Sequence, residues 1–106
     1  MFTVTEEQEK KILETRRALH RHPELSYQEK KTSALIEKEL ERLGIPYTGG
    51  LAGGTGIRAE LGKGTGPCVA LRADMDALPV SEETGLAFAS QQPGVMHVRG
   101  HDGHTA

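Results

Sequence analysis

The chain has 106 residues, a formal net charge of −2 and only 4% aromatic residues. This length accommodates at most one domain with a single core. The weak negative charge and the scarce aromatics exclude a nucleic-acid partner as the first hypothesis, because such partners need a basic surface and stacking rings. No apolar run approaches the ~20 residues of a transmembrane helix, so we expect no membrane partner.

The first helix is predicted over residues 5–21. It opens with a capping box, Thr5-Glu6-Glu7-Gln8, and Pro23 ends it. A basic cluster lies near its end and comprises Arg16-Arg17 and His20-Arg21-His22. We interpret this cluster as a solvated helix end rather than a binding patch.

The second helix is predicted over residues 27–43, with a capping box at Ser26-Tyr27-Gln28-Glu29. Apolar residues recur at helical spacing, and charged residues cover the opposite face, as expected for a solvated surface. Gly44 is the expected residue after the helix end.

The middle of the chain is rich in glycine, and its pattern changes to that of strands. Gly49-Gly50 and Gly53-Gly54 bracket a predicted loop, and residues 55–61 alternate as a strand does. A glycine-rich turn then leads to the apolar run Cys68-Val69-Ala70-Leu71, typical of a buried central strand. The two strands predict a hairpin within a larger sheet.

The single cysteine, Cys68, cannot form an internal disulfide, which favours a reducing compartment. The first residues carry neither the basic region nor the apolar core of a secretion signal. We therefore expect a cytoplasmic protein.

Two aspartates, Asp74 and Asp76, follow the apolar run directly. The end of a buried strand is where α/β enzymes place chemistry, and an extended backbone points both side chains the same way. Paired carboxylates bind a metal or orient a ligand. A helix cap or surface turn before Pro79 explains the pair equally well.

Three histidines, His97, His101 and His104, lie within the last ten residues, beside Asp102. Imidazole and carboxylate are common ligands of divalent transition metals. Gly100 and Gly103 disfavour an uninterrupted helix across the segment, and the segment lacks the HExxH pattern of zincin helices. The pattern predicts a ligand role for at least one of the histidines.

Residues 72–79 (RADMDALP) together with 100–106 (GHDGHTA) resemble the M20 metallopeptidase family. The similarity is greatest to its amidohydrolase branch, which includes hippurate hydrolases, N-acyl-amino-acid deacylases and auxin-conjugate hydrolases. Residues 17–26, 43–45 and 54–56 also match, in order and with similar spacing.

The resemblance implies an α/β fold: the N-terminal part of a three-layer α/β/α metallohydrolase catalytic domain, with two helices packed on a mixed sheet. Residues 1–106 would be that portion, without the lid or dimerisation domain. The implied cofactor is a divalent metal, Zn²⁺ or Mn²⁺, with two ions per site in the parent. The implied partner is a small N-acyl amino acid, hydrolysed to a carboxylate and a free amino acid by a homo-oligomeric parent.

Residue by residue, Asp76 matches the family's catalytic aspartate and His101 matches a metal ligand. Asp74 has no role assigned, and His104 matches the motif without a firm ligand role. Arg99 departs from the pattern, because the branch has a ligating cysteine there and a guanidinium cannot replace a thiolate. The family's base glutamates and remaining ligands follow this motif and have no counterpart in residues 1–106.

Two alternatives to an amidohydrolase remain. A truncated, non-catalytic chain with a structural or binding role is favoured by Arg99 and opposed by the intact RADMDALP motif. A related aminopeptidase acting on peptides would differ only in its substrate.

Overall fold

The computed structural model describes residues 3–62 and 64–106. In chain order the elements are helix α1 (Glu6–Arg21), helix α2 (Lys30–Leu43), strand β1 (Tyr47–Leu51), strand β2 (Gly56–Ala59) and the short helix α3 (His101–Thr105). Within the described ranges, no helix has the length and apolar character needed to cross a membrane.

Helix α1 forms where the sequence predicts it. The Thr5 hydroxyl accepts a hydrogen bond from the Gln8 backbone N–H at 3.1 Å, and the Gln8 side chain accepts one from the Thr5 N–H at 3.0 Å. Both halves of the predicted capping box are therefore present, and they satisfy N–H groups that the first helical turn leaves free.

Helix α2 ends as predicted but begins three residues later, because its predicted capping box does not form. Tyr27 adopts a left-handed backbone with φ of 64°, and Glu29 at the N-cap makes no side-chain capping bond. The cap comes instead from Glu24, whose carboxylate accepts hydrogen bonds from the backbone N–H groups of Lys31 at 3.1 Å and Thr32 at 2.6 Å. Gly44 has φ of 71° and closes the helix.

The sheet of the described residues has two antiparallel strands, β1 and β2, paired from Tyr47 with Ala59 to Leu51 with Gly56. The predicted strand at 55–61 is confirmed as β2. The prediction that this strand forms a hairpin with the apolar run at residues 68–71 is wrong. Strand β2 pairs instead with β1, part of which the sequence analysis assigned to a loop. Residues 68–73 lie outside any strand, so the prediction of a buried strand there is also wrong for this chain.

Isolated β-bridges, rather than a strand, fix the chain at Ala77 and Leu78. Leu25 bridges Ala77 in parallel, and Leu78 bridges Met96 in antiparallel fashion. The Ala77 N–H donates to the Glu24 carbonyl at 2.8 Å, while Leu78 and Met96 exchange two bonds of 3.0 Å. The aspartates just before Ala77 are thereby fixed between the α1–α2 connection and the chain that leads to α3.

Glu24→Ala should lower the free energy of unfolding by about 1–2 kcal/mol, because two N–H groups at the start of α2 lose their acceptor. Chemical denaturation followed by circular dichroism measures the change. Glu14→Ala, at an exposed position within α1, is the matched control and should stay within about 0.5 kcal/mol of the parent. Equal losses in both variants would contradict the assigned cap.

Candidate functional site

Asp76 and His101 are in contact, although 25 residues separate them in sequence. The Nδ1 atom of His101 lies 3.0 Å from the Asp76 carboxylate Oδ1 and 3.0 Å from the Asp76 backbone oxygen. Both of those atoms are acceptors, so Nδ1 carries the proton and donates. The neutral ring then keeps its lone pair on Nε2, the arrangement in which histidine binds a metal.

No strand of the described residues ends beneath these two side chains, because the strand predicted before Asp74 does not form. Asp76 is held by the bridges at Ala77 and Leu78 instead. His101 is the first residue of α3 and follows Gly100, whose φ of 82° lies in the left-handed region. A glycine is favoured there because a Cβ would strain that backbone.

Asp74 lies on the other side of the same imidazole. Its Oδ2 is 3.9 Å from His101 Nε2, and its backbone oxygen accepts a hydrogen bond of 3.0 Å from the Thr105 hydroxyl. Arg72 pairs with the Asp74 carboxylate at 2.8 Å. Asp74 and Asp76 therefore both lie against His101, one carboxylate at each ring nitrogen.

The three histidines of the last segment do not form one cluster. The rings of His101 and His104 are 6.3 Å apart between centroids, and His104 is exposed. His97 is buried at 5% exposure and faces His20 instead, at 6.5 Å. Neither ring nitrogen of His97 has a hydrogen-bond partner among the described residues, and burial lowers its pKa.

A buried ionic network lies beside the site, centred on His20. His20 Nδ1 is 2.8 Å from Asp102 Oδ2, and His20 Nε2 is 2.8 Å from Glu82 Oε1. All three side chains are at most 4% exposed. Since a carboxylate only accepts, both ring nitrogens donate, and the ring is an imidazolium between two carboxylates.

We name His20, Asp102 and Glu82 the His20 network. Further groups donate hydrogen bonds to its two carboxylates. The Arg16 Nε donates to Asp102 at 3.1 Å, and the Gly103 N–H donates to Asp102 Oδ1 at 2.8 Å. Burial alone would raise the pKa of Asp102, but these bonds and the His20 bond together hold it below its ordinary value. The pKa of Glu82 is lowered in the same way, against its burial, by Thr84, the Ser90 N–H and His20.

The interpretation of the basic cluster as a solvated helix end is wrong for Arg16 and His20, since both bind Asp102. The sequence contained a signal that Arg16 and His20 face the interior. The two residues are spaced i, i+4, and His20 is adjacent to the apolar Leu19, which places them towards the buried face of α1. Glu82 carried no comparable signal, because it precedes a second glutamate in an irregular segment.

The donors near His101 do not amount to a metal site among the residues that the structure describes. Among residues 3–62 and 64–106, no group of three or more His, Cys, Asp or Glu side chains is arranged to hold an ion. Catalytic zinc has three protein ligands and structural zinc has four. Arg99 and Cys68 are both exposed, and among the described residues Cys68 belongs to no group that could hold an ion.

Comparison with known proteins agrees with this geometry. The sequence profile described as peptidase family M20/M25/M40 matches residues 70–106, the segment that holds Asp76, His101 and Asp102. The sequence of these residues is therefore similar to that of the M20 family. The M20 segment thus includes both partners of the Asp76–His101 contact and one carboxylate of the His20 network.

Relatives match nearly all of this chain but only part of their own length. The N-acetyl-L-cysteine deacetylase of Bacillus subtilis (strain 168) is 50% identical over 92% of this chain and 24% of its own. A Rhodococcus jostii (strain RHA1) protein, provisionally named glutamate–cysteine ligase 2-3, is 53% identical over 95% of this chain but only 13% of its own. The chain therefore spans a quarter or less of these relatives.

A solved structure shares the fold. A Bacillus subtilis protein described as a dinuclear metal-binding peptidase of the M20 family superimposes with a TM-score of 0.85 and 46% identity, over 91% of this chain and 27% of that one. The expected α/β fold class is confirmed by this match. The relatives named as a deacetylase and a peptidase are hydrolases, as expected.

His20→Leu should lower the free energy of unfolding by about 3 kcal/mol or more, because two buried carboxylates lose their shared cation. Urea unfolding measures the loss. His22→Leu, two residues away and exposed, is the control and should change stability little. A His20→Leu chain as stable as the His22→Leu chain would show that the network is not held by the imidazolium.

Acid should weaken the fold below about pH 5. Asp102 and Glu82 both have folded-state pKa values below their ordinary values of 3.8 and 4.5. The unfolded chain therefore takes up protons first as pH falls, and the stabilisation present above the ordinary values is lost as pH drops through the folded ones. Urea midpoints between about pH 5 and pH 3 should fall, and Asp102→Asn should flatten that fall. An unchanged slope in the variant would exclude Asp102 as a source.

Proposed function

We propose that this chain is the N-terminal portion, residues 1–106, of the catalytic domain of an M20-type amidohydrolase that releases an amino acid from its N-acyl form. The observation that carries the proposal is the Asp76–His101 contact within the M20 segment, which leaves Nε2 of His101 able to bind a cation. The deacetylase relative supports the substrate class, because its name specifies an N-acyl amino acid.

The roles proposed for the two residues follow from their contacts. Asp76 accepts the Nδ1 proton of His101, fixes the tautomer and raises the basicity of Nε2. His101 is the metal ligand that this chain contributes. Asp74 would add negative charge on the Nε2 side of the ring, at 3.9 Å.

A divalent metal is part of the proposal, and the described residues alone do not complete its site. Imidazole and carboxylate donors suit Zn²⁺ or Mn²⁺, and the dinuclear M20 neighbour supports two ions in a whole enzyme. The further ligands would come from the parts of such an enzyme that this chain does not match. The whole protein would be a cytoplasmic homo-oligomer, with the single cysteine as support for the compartment.

The second candidate is a non-catalytic chain that keeps the fold, and Arg99 favours it. A guanidinium a few ångströms from a metal opposes each unit of metal charge by roughly 4 kcal/mol at ~4 Å and an effective dielectric near 20. The side chain of Arg99 is exposed, which relieves part of this repulsion. The missing thiolate is not recovered by that exposure. An aminopeptidase acting on peptides would share every contact described.

Activity separates these candidates. Residues 1–106 are joined to the remaining sequence of the Bacillus subtilis deacetylase, with Arg99 kept or changed to cysteine, and the free amino acid released from an N-acetyl amino acid is measured. We expect turnover only in the Arg99→Cys chimaera. Equal turnover by both chimaeras would show that the site tolerates Arg99, and hydrolysis of peptides alone would favour the aminopeptidase.

Metal affinity is expected to respond to the same change in the isolated chain. The parent chain should bind Zn²⁺ weakly, and Arg99→Cys should tighten binding about tenfold or more, because it adds an anionic sulfur two residues from His101. Titration calorimetry measures both. Arg58→Cys, on β2, adds a cysteine away from His101 and should give no gain. Tight stoichiometric binding by the parent, or an equal gain at position 58, would count against His101 as the ligand.

A further inference from the structure

Helix α3 carries His101 but does not orient it by itself. The helix has five residues, follows Gly100 directly and contains Gly103. Glycine disfavours a helix interior, and a helix this short is not stable in water without tertiary contacts. The direction of the His101 ring therefore depends on the contacts that α3 makes with the rest of the chain.

Apart from the bonds of the His101 imidazole, three side-chain hydrogen bonds join α3 to the rest of the described chain. His20 and Arg16 donate to the Asp102 carboxylate at 2.8 and 3.1 Å. The hydroxyl of the last helical residue, Thr105, donates to a backbone oxygen at 3.0 Å. These three bonds are the candidates for what orients the helix.

The three bonds differ in strength. The Arg16 side chain is 38% exposed to water, which weakens its ion pair, and the Thr105 bond joins two neutral groups. The bond from His20 to Asp102 is both charged and buried, since these side chains are 4% and 2% exposed. It is therefore the contact that most restricts where α3 lies.

The His20 ring is itself held in one orientation. It lies on α1, a helix of 16 residues with a complete capping box. Its Nε2 donates to Glu82 at 2.8 Å, and the ring packs edge-on against Phe88 with 5.6 Å between centroids. A ring held on these sides points its Nδ1 at one place, which is where Asp102 binds.

We propose that His20 is a positioning residue for His101. Its Nδ1 binds Asp102, and this bond seats α3. The seated helix presents His101 Nδ1 to Asp76 and leaves Nε2 free. Only the consequence for metal binding rests on the proposed function, since the orientation of the ring requires no metal. Groups that orient a ligand from behind commonly change metal affinity tenfold or more.

A purely stabilising role for His20 predicts a different result. Removing the imidazolium would then lower stability and leave the orientation of His101 in the folded chain unchanged. The two ring nitrogens separate the two roles, because Nδ1 leads to α3 and Nε2 leads through Glu82 to the irregular segment.

The experiment keeps one nitrogen donor at a time. The amide nitrogen of asparagine is as many bonds from Cβ as histidine Nδ1, and that of glutamine is as many as Nε2. His20→Asn therefore keeps a donor to Asp102, and His20→Gln keeps a donor to Glu82. Both lose the charge and should be destabilised to a similar extent. All chains are studied in sucrose, which favours the folded state, and circular dichroism verifies that they are folded.

The readout is the tautomer of His101, measured at pH 8 from the ¹⁵N chemical shifts of its two ring nitrogens. The parent and His20→Asn should carry the proton on Nδ1. His20→Gln should show a population protonated on Nε2, because the ring is no longer held against Asp76. The same tautomer in the Asn and Gln variants would overturn the proposal.

Two further variants keep the test decisive where His20→Gln does not fold. Arg16→Gln removes the exposed partner of Asp102, and Glu82→Gln leaves an oxygen that still accepts from His20. Both should retain the parent tautomer, which would leave His20 as the contact that seats α3. A changed tautomer in Arg16→Gln would assign the role to Arg16. A changed tautomer in Glu82→Gln would show that the bond to Asp102 is not what matters, and either result would overturn the proposal.

Zinc affinity tests the consequence for binding. With Arg99→Cys present in every chain, His20→Gln should bind Zn²⁺ about tenfold more weakly than His20→Asn, as measured by titration calorimetry. A difference in tautomer without a difference in affinity would uphold His20 as the positioning residue and count against the proposed role of His101 as a ligand.

Discussion

The order of the last third of the chain depends on the His20 network. One imidazolium bridges the carboxylates of Asp102 and Glu82, each at 2.8 Å, in surroundings where all three side chains are almost fully buried. An unpaired charge in such a place costs several kcal/mol, so each member requires the others. The network ties α1 to α3 and to the irregular segment around Glu82, where few apolar contacts are available.

The position of the candidate site follows from that network. Asp102 is fixed by His20 and Arg16, and the residue before it is His101. Since α3 has only five residues, its orientation comes from tertiary contacts rather than from helix propensity. His101 is thereby turned towards Asp76, which the Leu25–Ala77 and Leu78–Met96 bridges hold from the other direction. The contact between Asp76 and His101 is thus supported from both sides by other parts of the chain.

Arg99 bears on the proposed metal and not on the contact between Asp76 and His101. A guanidinium there would oppose a cation near His101, whereas the 3.0 Å contact between His101 Nδ1 and Asp76 Oδ1 is present with arginine at position 99. The contact therefore depends neither on a thiolate at position 99 nor on the buried strand predicted at residues 68–71.

Elements whose signals are local were predictable from the amino-acid sequence. The Thr5–Gln8 capping box, the apolar period of α2, the Gly44 terminus and the strand at β2 depend on neighbouring residues, and all are present. The motifs around Asp76 and His101 resembled the M20 family because their residue types and spacing are specific, and that family's profile matches residues 70–106. The cap of α2 by Glu24, the pairing of β2 with β1 and the partners of His20 were visible only in the folded chain, since each joins residues through space. The exposure of residues 68–71 was visible only there as well, because an apolar run is buried only where other layers cover it.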